Sequence, residues 1–555
     1  MIKKLLLLPI TLNCVFSIGQ DFDWAKQFAG NTYAQGLAVT TDNAGNVYTT
    51  GTFSGVIDFD PGAGDQSIGA SGDDVFISKL DASGNFVWAK VIGSVGTDVA
   101  WAIATDNTGN IYLTGYFLGT VDFDPGAGTA NMTSLGASDV FILKLDTNGD
   151  FVWVKTVGGT DNEEGNCIRV DASNNVYISG TMNNGTVDFD PGPSNYDLSG
   201  YYDTFILKLD ASGDFVWAKK FDCPIDLVHI YAIELDASGN VYSSGRFLET
   251  TDFDPGAGTS NLTANDGTDI FVCKLNSAGD FQWVKQIIGT EPASAYGLDV
   301  DAGNNIYLTG RFSGTADFDP GAGTANLTSF GDYDIFVCRL NSTGDYVWAN
   351  KFGGTTADQA EDIAVSSNGN IYVTGAFNTV ADFDPTSGTN YLISNGSADA
   401  FCLKLNSSGT FLSVMQFGGA GNDWGQALAI DVNKNVLLTG WFSGTADLNP
   451  TTTVENFTAA GSNDPFVVRL KIDDLGEDKK ELSDGNFTLY PNPATNQINI
   501  IITDKIEQVT IYNIAGELVQ SENKTLISIE NLERGIYIVL VKTEKGTRQL
   551  RFVKE

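Results

Sequence analysis

Hydrophobic and polar positions alternate along this chain in short runs, and one alternation returns seven times. It reads NVYTTG (46–51), NIYLTG (110–115), NVYISG (175–180), NVYSSG (240–245), NIYLTG (305–310), NIYVTG (370–375) and NVLLTG (435–440). Val or Ile alternating with polar positions around Tyr is the period of a half-buried strand. Upstream of each run lies a second strand, such as GLAVT (36–40) or AIAT (102–105), joined to it by an Asp/Asn/Gly turn. Downstream, F-x-x-K-L leads through D-A-S-G or N-S-x-G into F-V-W-A-K, a hairpin whose Gly supplies a left-handed turn position. The pattern predicts four strands per repeat, with copies 64 to 66 residues apart. Units of this size cannot each bury their own apolar face, and four-stranded units repeated radially are propeller blades, usually four to eight of them.

The two ends of the repeat predict how the ring closes. The outer-strand tryptophans are Trp24, Trp88, Trp153, Trp217, Trp283 and Trp348, with Ser413 in the seventh place. Their F-x-x-[KR]-L partners start at Phe76, Phe141, Phe205, Phe271, Phe336, Phe401 and Phe466. The first tryptophan strand has no partner before it and the last F-V-V-R-L has none after it. Pairing 21–28 with 466–471 would remove two exposed sheet edges. The expectation is an all-β chain with a seven-bladed β-propeller over 21–471, closed by its N-terminal strand.

After Leu470 the pattern stops. Residues 472–485 are charged, lack a periodic apolar face and read as a linker. From Asn486 onward eight acidic and eight basic side chains balance, and the runs QINIIIT, QVTIYNI, GIYIVLVKT and RQLRFVK predict a small C-terminal β-sandwich over 486–555. At the other end, residues 1–20 combine Lys3 and Lys4, an apolar run and a polar end, the pattern of a cleavable secretory signal peptide. That run is too short to span a bilayer, and no other segment approaches membrane length.

Charge narrows the ligands. A net charge of −38 over 555 residues argues against nucleic acid, which needs a basic footprint. Cations, or ligands bridged by cations, suit it better. Cys273 and Cys338 fill one strand slot in successive repeats, which reads as small apolar filler rather than a disulfide framework. The single histidine, His229, excludes zinc clusters and most His-based triads.

Residues 21–471 resemble the bacterial β-propeller repeat family whose units read D-x-x-G-N-x-Y-x-T-G. The hairpin L-D-A-S-G-N-F-V-W (80–88) is similar to the tryptophan-docking motif of quinoprotein propellers, with a turn one residue shorter and no quinone-site residues. The tail resembles the C-terminal sorting domain of type IX secretion in Bacteroidota. The matching residues are Tyr490-Pro-Asn-Pro493, Ile511 to Val519, Gly535-Ile-Tyr-Ile-Val539 and a late basic strand ending Arg551-Phe-Val-Lys554. That resemblance implies passage to the periplasm, export by the type IX machinery acting through 486–555, and release or attachment at the cell surface.

Candidate chemistry is of two kinds. The first is a set of Asp pairs that recur before a Pro: Asp58 with Asp60, Asp122 with Asp124, Asp188 with Asp190, Asp252 with Asp254, Asp317 with Asp319, and Asp382 with Asp384. On an extended strand i and i+2 share a face, so each pair would present two carboxylates to a hard cation, and calcium is the expected one. The competing reading is turn chemistry, with Asp, Pro and Gly in favoured turn positions. These turns, with Asp98, Asp161, Asp358 and Asp423, would make one propeller face acidic.

The second kind breaks the repeat. One slot near the start of the inner strand holds Gln35, Trp101, Asn166, Tyr231, Tyr296, Glu361 and Gln426. Near the channel mouth, aromatics with Asn, Gln and Glu would stack on and hydrogen-bond a sugar; channel filling and blade packing is the alternative. His229, Arg246 and Glu249 also depart from the repeat, within one blade. The functional expectation is an exported, non-catalytic module that binds a glycan or protein, or serves as a structural module at the surface. The alternative is an extracellular carbohydrate-active hydrolase or lyase, and even repeat spacing without long insertions favours the module.

Overall fold

The computed structural model describes residues 20–222, 228–472 and 488–554, apart from positions 266, 387 and 452 and the stretches 491–493, 503–504, 514–517 and 544–545. The signal peptide expected over 1–20 and the linker expected over 472–485 lie outside the described residues except at Gln20 and Ile472. The chain divides into two compact units, Met1–Ile472 and Asp473–Glu555. Among the described residues every element is a strand, and the named strands pair antiparallel.

One repeat shows how the sequence builds its sheet. Val99–Thr105, Ile111–Asp122, Asn131–Leu145 and Phe151–Val157 lie side by side in chain order. The same ladder is formed by Glu163–Val170, Val176–Met182, Asp203–Leu209 and Phe215–Phe221, and by equivalent strands in the other repeats. The first strand of each ladder lies against the first strand of the next, and Asp423–Ile430 lies against Ala34–Thr41. Gln20–Gln27 pairs with Asp464–Ile472, matching Gln27 to Phe466 and Phe22 to Leu470.

Three side-chain devices explain the repeated motifs. In D-x-x-G-N-x-Y, Asp42 Oδ1 accepts from the N–H groups of Ala44 and Asn46, and its Oδ2 accepts from Asn46 Nδ2 and Tyr48 Oη at 2.7 and 2.9 Å. Tyr48 is fully buried, with Lys79 Nζ 4.9 Å from its ring centroid and Trp88 at 6.2 Å. Lys79 then donates to the carbonyl of Thr147 in the next repeat at 2.9 Å, and Arg469 reaches the carbonyl of Ala82 in the same way.

The second device is the hairpin glycine. Gly84 has φ +76°, and a Cβ there would come within 3.0 Å of the Trp24 ring. Gly149 repeats this against Trp88, so each tryptophan docks under the following hairpin. Only Gly meets both demands, positive φ and close approach.

The third device lies in D-F-D-P-G. Its Phe, not its Asp, enters the core: Phe123 is 1% exposed, edge-on to Phe117 at 5.2 Å and tilted on Phe141 at 5.2 Å. Phe59, Phe253, Phe318 and Phe383 repeat the cluster. Such rings supply large buried apolar area together with favourable edge-to-face geometry. Cys167, Cys273, Cys338 and Cys402 are buried, and Cys273 and Cys338 thus take the filler role expected of their slot.

In the second unit, Thr488–Tyr490, Gln497–Ile501 and Leu526–Ser528 form one sheet, and Leu518–Glu522, Ile506–Asn513, Gly535–Thr543 and Gly546–Lys554 another. Ile498, Val509, Ile527, Val539 and Phe552 share one buried core.

Candidate functional site

The first strands of the repeats enclose a cavity of about 660 Å³. It is lined by Trp101, Asn166, Tyr231, Tyr296, Glu361 and Gln426, together with Arg169, His229, Glu164 and Asp362. The structure therefore brings the slot residues Trp101, Asn166, Tyr231, Tyr296 and Glu361 to one space. A β-bulge puts them there. Register shifts fall between Ala100 and Ala102, Gly165 and Cys167, Ile230 and Ala232, Ala295 and Gly297, and Ala360 and Asp362. The extra residue of such a bulge is left unpaired, free to turn its side chain out of the ladder.

The bulge also corrects one assignment. In Ala34–Thr41 the shift falls between Gly36 and Ala38, so the equivalent of Trp101 is Leu37, not Gln35. Gln35 lies two residues earlier and accepts a hydrogen bond from Tyr33 Oη at 2.6 Å.

The cavity wall is chemically uneven. On one side His229 stacks on Tyr231, 5.6 Å between centroids with 10° between planes, and Tyr231 meets Tyr296 edge-on at 4.8 Å. Arg246, paired across the strands with His229, stands 5.7 Å from the Tyr231 ring. Arg311 stands 5.7 Å from the Tyr296 ring and 4.4 Å from that of Tyr333, and donates from Nη1 to Gln359 Oε1 at 2.6 Å. On the other side Trp424 Nε1 donates to Glu361 Oε1 at 3.0 Å, and Trp424 stacks on Trp441. Burial pushes the Glu361 carboxyl up to about 7, against the hydrogen bonds it accepts from Gln359 and Trp424. Deeper in, Arg169 Nε donates to Glu234 Oε2 at 2.7 Å, and Asp362 accepts from the N–H of Leu428 at 2.9 Å. Glu249, the third irregular residue of that repeat, has φ +58° in a turn and is not part of the cavity lining.

One oxygen of each Asp in the repeated pairs is taken up by its own turn. Asp58 Oδ1 accepts from the N–H of Asp60 and Gln66 at 3.0 and 2.9 Å. The first Asp of the other pairs does the same: Asp122, Asp188, Asp252, Asp317 and Asp382 each accept from the N–H two residues on. The second Asp turns its Oδ1 to its own loop. Asp60 and Asp124 accept from the N–H of Gly62 and Gly126 at 2.8 Å. Asp190, Asp254 and Asp319 accept from the N–H of Gly192, Gly256 and Gly321, again at 2.8 Å. Asp384 accepts from the N–H and the hydroxyl of Thr386 at 2.9 and 2.7 Å.

This corrects the geometry expected of a two-carboxylate face. Each strand ends at the first Asp of its pair, at Asp58, Asp122, Asp188, Asp252, Asp317 and Asp382. The second Asp of each pair, namely Asp60, Asp124, Asp190, Asp254, Asp319 and Asp384, stands past the strand in the turn, where alternation no longer fixes its direction. No extended segment therefore carries both carboxylates of a pair. Among the described residues, no three His, Cys, Asp or Glu side chains gather to hold a metal.

A second set of acids escaped the sequence reading. Asp74, Asp139, Asp203, Asp269, Asp334, Asp399 and Asp464 stand two residues before each F-x-x-[KR]-L phenylalanine and are buried. In four repeats another buried acid joins them: Asp98, Glu163, Asp358 and Asp423, each 1% exposed. This overturns the expectation that Asp98, Asp358 and Asp423 line an acidic face. Where the second acid is missing, Gln27, Lys220 and Gln286 donate to Asp464, Asp203 and Asp269 at 2.6, 3.0 and 2.7 Å. Burial, then the neighbouring acids, raises Glu163 to about 7; burial likewise raises Asp358 and Asp423 to about 7. The regular spacing of Asp before the phenylalanine was the available signal.

Comparison with known proteins agrees with both halves of this description. Residues 488–555 match the secretion system C-terminal sorting domain, and residues 347–376 match the β-propeller repeat. The chain thus carries β-propeller repeats and a sorting domain that sends it by type IX secretion to the cell surface or the extracellular space.

It is 25% identical over 434 residues to a WD repeat-containing protein of Acanthamoeba polyphaga mimivirus, covering 64% of this chain and 31% of that one. It is 23% identical over 551 residues to a regulatory protein of Caulobacter vibrioides, covering 91% and 52%. The chain therefore spans about a third to a half of the curated relatives it matches. Among solved structures, an ulvan lyase superposes with TM-score 0.39 at 13% identity, covering 76% of this chain and 93% of that one. Sqt1 from Chaetomium thermophilum superposes with TM-score 0.35 at 11% identity, covering 82% and 100%.

Proposed function

We propose that the exported protein is a non-catalytic binding module whose ligand is a saccharide, held in the cavity where the first strands meet. The observation that supports this reading is the convergence of Trp101, Tyr231 and Tyr296 with Asn166, Glu361 and Gln426 around one cavity of about 660 Å³. Flat aromatic faces suit the C–H faces of a pyranose, and amide and carboxyl groups suit its hydroxyls. We take residues 21–471 as a seven-bladed ring. The pairing of Gln20–Gln27 with Asp464–Ile472, and the neighbour order of the first strands, support that count and closure.

Presenting the purified protein to an array of plant, algal and microbial glycans tests the proposal. Binding that Trp101→Ala and Tyr296→Ala weaken together supports it. Binding untouched by either change would move the site elsewhere. Shortening of the bound polysaccharide during incubation would replace the module by a hydrolase or lyase.

A further inference from the structure

The cavity sits in a protein whose charge ought to repel anions, yet two arginines stand against its lining tyrosines Tyr231 and Tyr296, just outside the lining itself. Residues 20–472 contain five arginines, Arg169, Arg246, Arg311, Arg339 and Arg469. Arg339 and Arg469 occupy the Lys/Arg slot of the third strand and hold the hairpin carbonyls of Ser407 and Ala82. Arg169 is paired with Glu234 inside the cavity. Arg246 lies against the Tyr231 ring, and Arg311 lies against Tyr296 and Tyr333 and donates from Nη1 to Gln359 Oε1.

These two arginines occupy the same position in successive repeats, next to last in Val241–Phe247 and Ile306–Phe312. The other repeats place Thr52, Tyr116, Thr181, Ala376 and Trp441 there, so nothing in the blade requires a cation. Among the described residues neither arginine has a carboxylate within salt-bridge distance; the Nε of each is buried without a hydrogen-bond partner, as are those of Arg339 and Arg469. A guanidinium held behind a tyrosine ring, with N–H donors left over beyond the one Arg311 gives to Gln359, has the means to hold an external acceptor. The sole histidine of the chain stands beside Arg246 and stacks on Tyr231.

From this geometry we propose that the saccharide is an acidic one, with its carboxylate or sulfate bound by Arg246 and Arg311 and its ring against Tyr231 and Tyr296. The proposal rests on the saccharide reading above and names its class. The acids of the same cavity do not oppose it. Both Asp362 oxygens accept backbone N–H groups, from Ile363 and Leu428 at 2.8 and 2.9 Å. Glu361 is held by Trp424 on the neighbouring strand and by Gln359 on its own, the side chain that also accepts from Arg311. Burial favours the neutral form of Glu164. Planar guanidinium groups bind carboxylate and sulfate alike through paired N–H donors, so both anions belong to the class.

The overall negative charge repels a long polyanion as a whole, so short oligosaccharides are the proper probes. Calorimetric titration of the full chain with trigalacturonate, a sulfated trisaccharide and neutral maltotriose, for wild type, Arg246→Gln, Arg311→Gln and Trp101→Ala, tests the proposal. The expected result is preference for one or both acidic trisaccharides, with each arginine change weakening them about tenfold or more and leaving maltotriose unchanged. Binding of trigalacturonate alone assigns the anion as carboxylate, and binding of the sulfated sugar alone as sulfate. Equal affinity for neutral and acidic sugars, lost in Trp101→Ala but not in the arginine variants, overturns this inference while leaving the saccharide reading intact. No binding of any sugar by a wild type that melts cooperatively overturns both.

Discussion

Glu163 carries one of the carboxyl groups in the first unit that burial disfavours. Its Oε2 accepts from Gly159 N–H at 2.7 Å, while its Oε1, like Asp139 Oδ1 nearby, is buried with no hydrogen-bond partner. Two adjacent carboxylates away from water destabilise the ionised state of each other. Glu163→Gln keeps an acceptor for Gly159 and offers an N–H₂ donor beside Asp139. The expected gain is about 1–2 kcal/mol at pH 8, or roughly 1–4 °C in melting temperature. Because the native pKa of Glu163 is raised to about 7, the wild-type acid is protonated at pH 5 and the difference should vanish there. Scanning calorimetry of both proteins at the two pH values decides it; an equal gain at pH 5 and pH 8 would contradict the acid-pair account.

At the scale of the element, the D-F-D-P-G turn is a device for delivering a ring to the core. Phe123→Ala should cost about 3–5 kcal/mol, the usual penalty for deleting a buried aromatic. Asp122→Ala, which removes acceptors for the N–H of Asp124 and Ala130, should cost about 1–2 kcal/mol. Denaturant titration of the two variants ranks them. If turn chemistry is the whole role of the Asp pairs, a chelator leaves the wild-type melting temperature unchanged; a fall of several degrees that added calcium alone reverses would establish calcium.

These elements also show what was legible beforehand. The strands, the hairpin glycines and the tail follow from local periodicity and turn residues, which act over a few positions and survive in every copy. The bulge does not: it shifts register by one residue, so Gln35 is a plausible neighbour of Trp101 in sequence although Leu37 holds the place. The Asp pairs read as strand residues because their spacing is right for a shared face, but the strand stops between Asp188 and Asp190 and at the same point in each copy. Asp98, Asp358 and Asp423 read as surface acids because burial is decided by the adjacent repeat. Arg311 went unnoticed because its meaning lies in Arg246, one repeat away, and in the tyrosine behind which each stands.

At the scale of the molecule, protonation and the pairing of Gln20–Gln27 with Asp464–Ile472 set stability together. Asp334 and Asp362 are raised to about 6, and Glu163, Asp358, Glu361 and Asp423 to about 7, in each case chiefly by burial. A raised carboxyl pKa means the native state holds more protons than the unfolded chain, so this contribution is lost as pH rises from about 5 through 7. Asp42, Asp106, Asp236 and Asp301 act oppositely: burial opposes ionisation, but hydrogen bonds outweigh it and hold them low. Their contribution is lost as pH falls below about 4. The melting temperature should therefore peak near pH 5 and decline toward pH 8, and a profile rising from pH 5 to pH 8 would contradict it. Deleting residues 20–27 should expose the edge of Asp464–Ile472, lowering the melting temperature and producing oligomers by light scattering.

The central claim is that an exported ring of β-propeller repeats uses the cavity between its first strands to hold a saccharide. Hydrogen–deuterium exchange of the protein with and without the oligosaccharide it binds best measures this most directly. The account predicts slowed exchange concentrated in Val99–Thr105, Val228–Leu235, Ala293–Val300 and Gln359–Val365, the strands that carry Trp101, Tyr231, Tyr296 and Glu361. Protection confined to the outer hairpins or to residues 488–555, with those four strands unchanged, would contradict it.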